Sequence, residues 1–359
     1  MLDFEKALAG KSVFVTGHSG FTGSWLCAWF AKAGINVSGF SLAPEPHEAL
    51  FSLLGLDDDV SSVTGDILDL GRLQRAMKDA QPEIVIHLAA QPLVRKSYRE
   101  PLRTFAVNAQ GTANVLEAAR LTPSVRGIVA ITTDKVYDNR EWAWAYREND
   151  PIGGKDPYSA SKAAAEMVIK GYRSLPGGEG GMPLIATARG GNIIGGGDFS
   201  EDRLIPDFVR AVGTGNPLTL RFPDATRPWQ HVLALVQGYG TLAAGLLSDA
   251  PEKVARAWNL GPNDPGQYTV RSVLETMSGV WTRPDLRYLD EPLPEAGALQ
   301  LDSRLAYNEI NWRQPWSVPR MVEETALWYR EHARSGDMRA FTGAQIDAWR
   351  RGLAALAAS

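Results

Sequence analysis

A doubly wound, Rossmann-type parallel sheet of the α/β class is predicted for this chain by three observations. Short apolar runs alternate with helical segments through the first half of the sequence, the pattern of a parallel sheet covered by helices on both faces. A Gly-rich turn, Gly17-His18-Ser19-Gly20-Phe21-Thr22-Gly23, joins the first of those runs to the first helix. Polar residues follow the ends of the runs, and in open α/β sheets such strand ends collect at one carboxyl edge, where ligands bind.

Ser12 to Thr16 is a short apolar run closed by glycine, and Gly23 to Lys32 has helical spacing and ends at Gly34. Ile35 to Phe40 then reads as a strand, Leu68 to Ala80 as a helix, and Glu83 to Leu88 as a strand. The alternation continues through a helical segment from Leu102 to Leu121, the strand Gly127 to Thr132, the helix Tyr158 to Leu175 and the strand Leu184 to Ala188. On this reading Gly17, Asp66, Ala89, Thr132 to Lys135 and Arg189 to Asn192 line one crevice. After Arg189 the pattern loosens into glycines and short segments rich in Pro, Trp and Arg, which marks a smaller second lobe. Val232 to Leu247 reads as a helix and Ala255 to Leu260 as a strand that rejoins the first sheet. The expected division is therefore 1–189 with 232–260 as the nucleotide-binding domain, and 190–231 with 261–359 as an interwoven C-terminal substrate lobe. The Ala-rich stretch Thr342 to Ala358 is expected to be helical.

Composition limits the partners. The chain has 359 residues, 44% hydrophobic and 22% charged, enough for a large core. Its net charge of -4 supplies no basic field for nucleic acid, so an anionic ligand must be met by local Arg or Lys. The single cysteine, Cys27, lies in the apolar run Trp25 to Trp29 and reads as a buried small hydrophobe, which fits a reducing cytoplasm. The segment Met1 to Lys11 lacks an apolar stretch, and no later segment approaches ~18 uninterrupted apolar residues, so neither secretion nor membrane insertion is expected. His231 and His87 read as packed or strand-end residues, since no partner stands at metal spacing, and no metal is expected.

Tyr158 and Lys162, four apart on one helix, stack on one face, where an ammonium can lower the phenol pKa toward working pH and make a base. Upstream, the glycine turn lets the backbone approach a pyrophosphate at a helix N-terminus, although any tight strand-to-helix turn has the same look. Asp66 is placed to accept a hydrogen bond from an adenine, and equally to act as a local cap. The second strand ends at Gly39-Phe40-Ser41-Leu42 with neither the acid that marks an unphosphorylated ribose nor an Arg cluster for a 2′-phosphate; NAD is favoured over NADP. Thr132-Thr133-Asp134-Lys135 emerges at the carboxyl edge as an acid/base set, alternatively a solvated polar loop. There Asp134 serves as an acid only if its pKa is raised, and Lys135 as a base only if desolvation lowers its own. Asn192, Arg203, Arg221 and Arg227 are candidates for phosphate binding, with ordinary surface Arg as the competing reading.

The glycine turn, the Asn108-x-x-Gly111-Thr112 helix, Thr133 and the Tyr158/Lys162 pair resemble the extended short-chain dehydrogenase/reductase family, the NAD-dependent epimerases and dehydratases, over nearly the whole chain. Longer stretches, Gly17 to Leu26, Ala90-Gln91-Pro92-Leu93-Val94-Arg95, Thr133-Asp134-Lys135, Gly195 to Phe199 with Glu201 to Pro206, and Arg227 to Val232, are similar to the CDP-glucose 4,6-dehydratase subfamily. The resemblance implies NAD contacts from Gly17, His18, Ser19, Gly20, Phe21, Thr22, Gly23, Ser41, Asp66, Ile67, Leu88, Ala89, Ala90, Asn108, Thr132, Tyr158 and Lys162. It implies a nucleoside-diphosphate sugar, CDP-glucose foremost, held by Gln91, Arg95, Thr133, Asn192, Arg203, Leu204, Arg221 and Arg227. It further implies catalysis by Thr133, Asp134, Lys135, Tyr158 and Lys162, in which C4 is oxidised, water is lost across C5–C6 and hydride returns to C6. In the related thymidine-sugar dehydratases a glutamate stands where this chain has Lys135, so that lysine is either a neutral base or an electrostatic stabiliser of a C5 enolate. A homodimer through the two long helices is expected, although core packing explains the same apolar stripes. A nucleotide-sugar 4-epimerase and a non-catalytic nucleotide-sensing Rossmann protein remain as competing readings.

Overall fold

The computed structural model describes residues 2–44, 50–177, 181–262, 268–288 and 299–358. The parts of the expected second lobe at 263–267 and 289–298 lie outside them. Among the described residues there are eleven strands: β1 (Ser12–Thr16), β2 (Asn36–Ser41), β3 (Val60–Thr64), β4 (Ile84–His87), β5 (Gly127–Ile131), β6 (Leu184–Arg189), β7 (Ile193–Ile194), β8 (Leu218–Leu220), β9 (Gln230–His231), β10 (Ala257–Asn259) and β11 (Leu286–Tyr288). Seven of them form one sheet in the order β10-β6-β5-β4-β1-β2-β3, every pairing parallel. Strand order reverses between β1 and β4, where Thr16 sits opposite His87, so the crevice beyond that pair is the topological switch point.

The strands are apolar on both sides because both faces are covered. Val13 and Val15 of β1 join a core on one face with Trp25, Trp29, Val236 and Trp258; Phe14 points into the other with Phe40, Met77, Leu116 and Ile169. The helix Phe21–Lys32 is buried from Gly23 to Leu26 and again at Trp29 and Phe30, since the C-terminal helix Met338–Ala358 covers the side turned away from the sheet. That seam is closed by Lys32 with Asp347 at 3.1 Å and Arg350 with Glu5 at 2.6 Å. Cys27 is fully buried within it.

Most expected elements are found within two residues of their predicted ends. The strand β10 does rejoin the sheet, Ala257 to Asn259 pairing with Thr187 to Arg189. Two departures matter. The strand β3 had no counterpart in the sequence reading, because this edge strand is buried only at Val60 and carries no apolar run. The segment Leu102 to Leu121 is not one regular helix: Pro101–Phe105 passes through a π-helical turn, Ala106–Gln110, into Gly111–Arg120. That insertion turns Asn108 inward, and π-turns of this kind gather at functional sites.

Candidate active site

The chain leaves β1 through Gly17, whose φ of +76° and tight surroundings exclude a side chain: a Cβ there would stand 2.7 Å from the Ala89 nitrogen. Gly23 is equally confined, a Cβ falling 2.2 Å from the Gly17 oxygen. Gly20 is the N-cap of Phe21–Lys32, so the amides of Phe21, Thr22 and Gly23 face out of the helix end without intrahelical partners. This cradle of bare backbone fits a pyrophosphate. At the end of β2, Ser41 and Ser19 share a 2.7 Å hydroxyl contact, placing two small polar groups where a ribose edge would lie. His18 leaves the cleft: its ring packs edge-on to Phe51, its Nε2 meets Ser62 at 2.7 Å, and burial pushes its pKa down to about 4. Only the backbone of His18 faces the loop.

Asp66 follows β3 and accepts from the Leu68 amide at 3.0 Å and from Arg103 Nη2 at 2.6 Å; burial opposes, but these bonds hold the carboxyl below its ordinary range. Ile67 is buried and its carbonyl accepts from Asn114 at 2.9 Å. The backbone of Leu88 and Ala89, followed by Ala90, is pinned over the switch point by bonds from their amides to the Thr16 oxygen at 3.0 Å and the Thr16 hydroxyl at 3.4 Å. His87 is caught between the hydroxyls of Thr16 at 2.7 Å and Thr112 at 3.0 Å, and burial holds it neutral, with a pKa near 3. His231 is likewise packed, among Trp25, Trp316 and Trp349.

Two expected contacts are corrected. Gln91 does not offer its side chain to a substrate: its Nε2 donates to Thr104 at 2.9 Å and its Oε1 accepts from the Leu93 amide at 2.7 Å. Asn108 is also occupied, bonding both ways to the Gln91 backbone and donating to Ser161 at 2.9 Å. Both residues are buried braces that fasten the Ala90–Leu93 turn to the helix Pro157–Arg173.

Tyr158 and Lys162 lie on that helix, started by Asp156, which accepts from the Ser159 amide at 3.0 Å. Both are buried on the face turned toward the end of β5, and Lys162 Nζ donates to the Ile131 carbonyl at 3.2 Å. Burial pushes Lys162 down to about 8 against the pull of Glu166. The expected lowering of the phenol is not found: burial raises Tyr158 to about 12, and the Thr133 hydroxyl and the Arg203 charge, which work against it, do not offset that burial. Thr133 gives its one hydroxyl proton to Asp134 Oδ1 at 2.9 Å and stands near enough to the phenol to act on it, so phenol, hydroxyl and carboxyl lie in one cluster. Asp134 is buried and its carboxyl is raised by that burial, the condition for a general acid. Room for it exists only because residue 191 is glycine; a Cβ there would strike the Asp134 carboxyl carbon at 2.2 Å. Lys135 is exposed, so the chain does not itself desolvate that amine.

The arginines gather beside this cluster. Arg95 and Arg221 both approach Asp202, at 3.3 and 3.8 Å, and Arg203 pairs with Asp198 at 2.8 Å, close enough to Tyr158 to act on its charge. Leu204 starts the helix Leu204–Thr214 next to Arg203. Asn192, at φ +50°, and Arg227, which donates to the Thr226 carbonyl at 2.9 Å, lie at the paired strands β7 and β9. Sequence reasoning missed Asp202 and the ion pair of Glu166 with Arg189 at 2.8 Å; of the expected crevice run Arg189 to Asn192, Gly191 does border Asp134, but Arg189 is buried under the sheet edge and does not line the crevice. Glu166 was within reach, standing four residues past Lys162 on the same face.

Comparison with known proteins agrees with this geometry. The profile of the NAD dependent epimerase/dehydratase family matches residues 13–261. The chain belongs to that family. Over 336 residues it is 41% identical to the CDP-glucose 4,6-dehydratase of Salmonella typhimurium, spanning 92% of this chain and 93% of the other. A second member, a UDP-glucose 4-epimerase of Mycolicibacterium smegmatis, is 31% identical over 229 residues, 55% of this chain and 72% of that one. Among solved structures a dTDP-glucose 4,6-dehydratase from Streptomyces venezuelae, with NAD bound, shares the fold at a TM-score of 0.76 with 23% identity, covering 90% of this chain and 98% of that one. The helix-flanked seven-stranded sheet is thus the family's Rossmann-type fold.

Proposed function

We propose that the chain is an NAD-dependent CDP-glucose 4,6-dehydratase, a lyase yielding CDP-4-keto-6-deoxy-glucose. The observation that carries this reading is the grouping of Tyr158, Thr133 and Asp134, which sets a phenol and a raised carboxyl within one buried cluster. A 4-epimerase needs only the phenol. Identity to the Salmonella typhimurium enzyme over nearly the whole length supports cytidine as the base. The division into lobes 1–189 with 232–260, and 190–231 with 261–359, would give the cofactor and the nucleotide sugar separate beds, with the helix Met338–Ala358 set apart from the sugar bed by its packing on Phe21–Lys32.

The turn at Gly17, Gly20 and Gly23 would hold NAD, which would supply a hydride acceptor for C4, a hydride donor to C6 and a positive ring favouring ionised phenol, so that no external reductant would be consumed. Tyr158 takes the C4 hydroxyl proton, with the Thr133 hydroxyl and the Lys162 ammonium stabilising the phenolate. The new C4 ketone acidifies the C5 hydrogen. Lys135 as a neutral base receives that proton, its desolvation coming from the sugar that covers it, and returns it to C5 when hydride reaches C6; if it stays charged it instead steadies the C5 enolate. Asp134, whose carboxyl burial pushes toward its protonated form, donates to the departing C6 hydroxyl, which leaves as water. Arg95, Arg203, Arg221 and Arg227 hold the diphosphate, and a reducing cytoplasm is the setting we infer.

Incubation with NAD and a panel of CDP-, dTDP-, UDP- and GDP-glucose, followed by mass spectrometry, tests the reading. Loss of one water from the CDP sugar is expected. Unchanged mass with a new C4 configuration would establish the epimerase, and NAD uptake without any conversion a sensing protein. Lys135→Met should suppress exchange of the C5 hydrogen with solvent, and unaltered exchange excludes Lys135 as the base.

A further inference from the structure

We propose that the buried Glu166–Arg189 ion pair is a positioning device that fixes the spacing between the helix bearing the base and the turn bearing the acid. The inference rests on the dehydratase reading, in which both must address one sugar. Glu166 lies one helical turn beyond Lys162 and two beyond Tyr158. Its side chain is 2% exposed and that of Arg189 4%. The carboxylate accepts from Arg189 Nε at 2.8 Å, from Nη2 at 3.0 Å, and from the Thr132 hydroxyl at 2.7 Å. Arg189 Nη1 donates onward to the Tyr137 hydroxyl at 2.8 Å and the Glu148 carbonyl at 2.9 Å, and the guanidinium lies over the Tyr137 ring, 5.1 Å from its centre. Thr132 immediately precedes Thr133-Asp134-Lys135, and Tyr137 closes the turn Asp134–Val136 that follows. One ion pair on the same face of the helix, a turn beyond Lys162, therefore grips the acid-bearing turn at both ends.

A buried ion pair returns little stability beyond what apolar packing of the same volume gives. Directional bonds from one guanidinium and one carboxylate define distances that apolar packing leaves loose. Oxidation at C4 needs only the phenol, its hydroxyl partner and the ammonium. Loss of water additionally needs Asp134 and Lys135 in register with C5 and C6 of the same sugar. Slack in the spacing should therefore slow the second step more than the first.

Thr132→Val removes one grip and Tyr137→Phe the other together with the Tyr137 bond to Asn259, and neither leaves a charge unpaired. With CDP-glucose and saturating NAD, kcat for product formation is expected to fall about tenfold to a hundredfold. KM should stay within about twofold, and the near-ultraviolet absorbance of bound reduced nicotinamide should rise in the steady state as oxidation outruns water loss. Thr132→Ser, which keeps the hydroxyl, should restore kcat. Hydrogen exchange of the backbone from residue 132 to residue 137 should quicken in the Phe and Val variants, and not elsewhere in the fold. Wild-type kcat in both variants, or equal losses in Thr132→Val and Thr132→Ser, would overturn the proposal. Should the wild type leave CDP-glucose unconverted, the functional reading fails by itself, and unaltered exchange over 132–137 in the variants would then overturn the positioning role.

Discussion

Lys162 is a cation in surroundings that resist charge, 7% exposed, with the Ile131 carbonyl as hydrogen-bond partner and Glu166 as its counter-charge. Burial brings its pKa to about 8, so near pH 7 the ammonium persists and can steady a phenolate at Tyr158. Above about 8 the proton leaves, and kcat is expected to fall as pH rises through that value. Stability moves the other way. The unfolded lysine titrates near 10.4, so between the two values the unfolded chain holds more protons and this group's cost to folding is progressively relieved. A kcat profile measured beside melting temperatures from pH 7 to 9.5 separates the two effects. A kcat that stays level to pH 9.5 would refute the role of the ammonium. The Tyr158/Lys162 pair was legible because its spacing alone puts both on one helix face. The direction of the phenol's shift was not, since it depends on desolvation by residues far apart in the chain.

At the scale of elements, the rejoining strand β10 shows how the catalytic end of the sheet is fastened. Asn259, its last residue, accepts from the Tyr137 hydroxyl at 2.6 Å and donates to the Tyr146 carbonyl at 2.8 Å, while its amide donates to Glu148 at 2.9 Å. Asn259→Ala removes the side-chain bonds and leaves buried partners unsatisfied, a loss of about 2–4 kcal/mol. A melting temperature several degrees below wild type is expected by circular dichroism, and a superimposable melting curve would show the strand to be held by backbone pairing alone. That β10 returns to the sheet was legible from its apolar run. The edge strand β3 was not, because Ser61, Ser62 and Thr64 give a half-exposed edge no apolar signature. Nor was the π-turn Ala106–Gln110 legible, since it arises where Asn108 is drawn into bonds with Gln91 and Ser161, partners that only the folded sheet brings near. The arginines of the second lobe were visible as types, but their grouping around Asp202 and Asp198 depends on turns with no periodic pattern.

At the scale of the whole molecule, the outer side of the two helices whose inner sides hold the site exposes several apolar residues. Leu102 is 84% exposed, Phe105 38% and Met167 50%. Leu102, Phe105, Ala109 and Ala113 recur at helical spacing on one segment, as do Ala160, Ala164, Met167 and Gly171 on the other. Side by side, these stripes of a few large and many small residues suit the close approach of a second, identical pair of helices, a four-helix seam across a two-fold axis. We propose that the working form is this homodimer. Sedimentation should give twice the chain mass at micromolar concentration, and Leu102→Glu combined with Met167→Glu should give the single-chain mass, since burying two carboxylates against their symmetry mates costs several kcal/mol. A wild type that sediments as one chain would remove the proposal. Because Asn108 and Tyr158 sit on the opposite faces of the same helices, separating the protomers should also lower kcat while NAD affinity, set by the glycine turn on the other side of the switch point, stays unchanged.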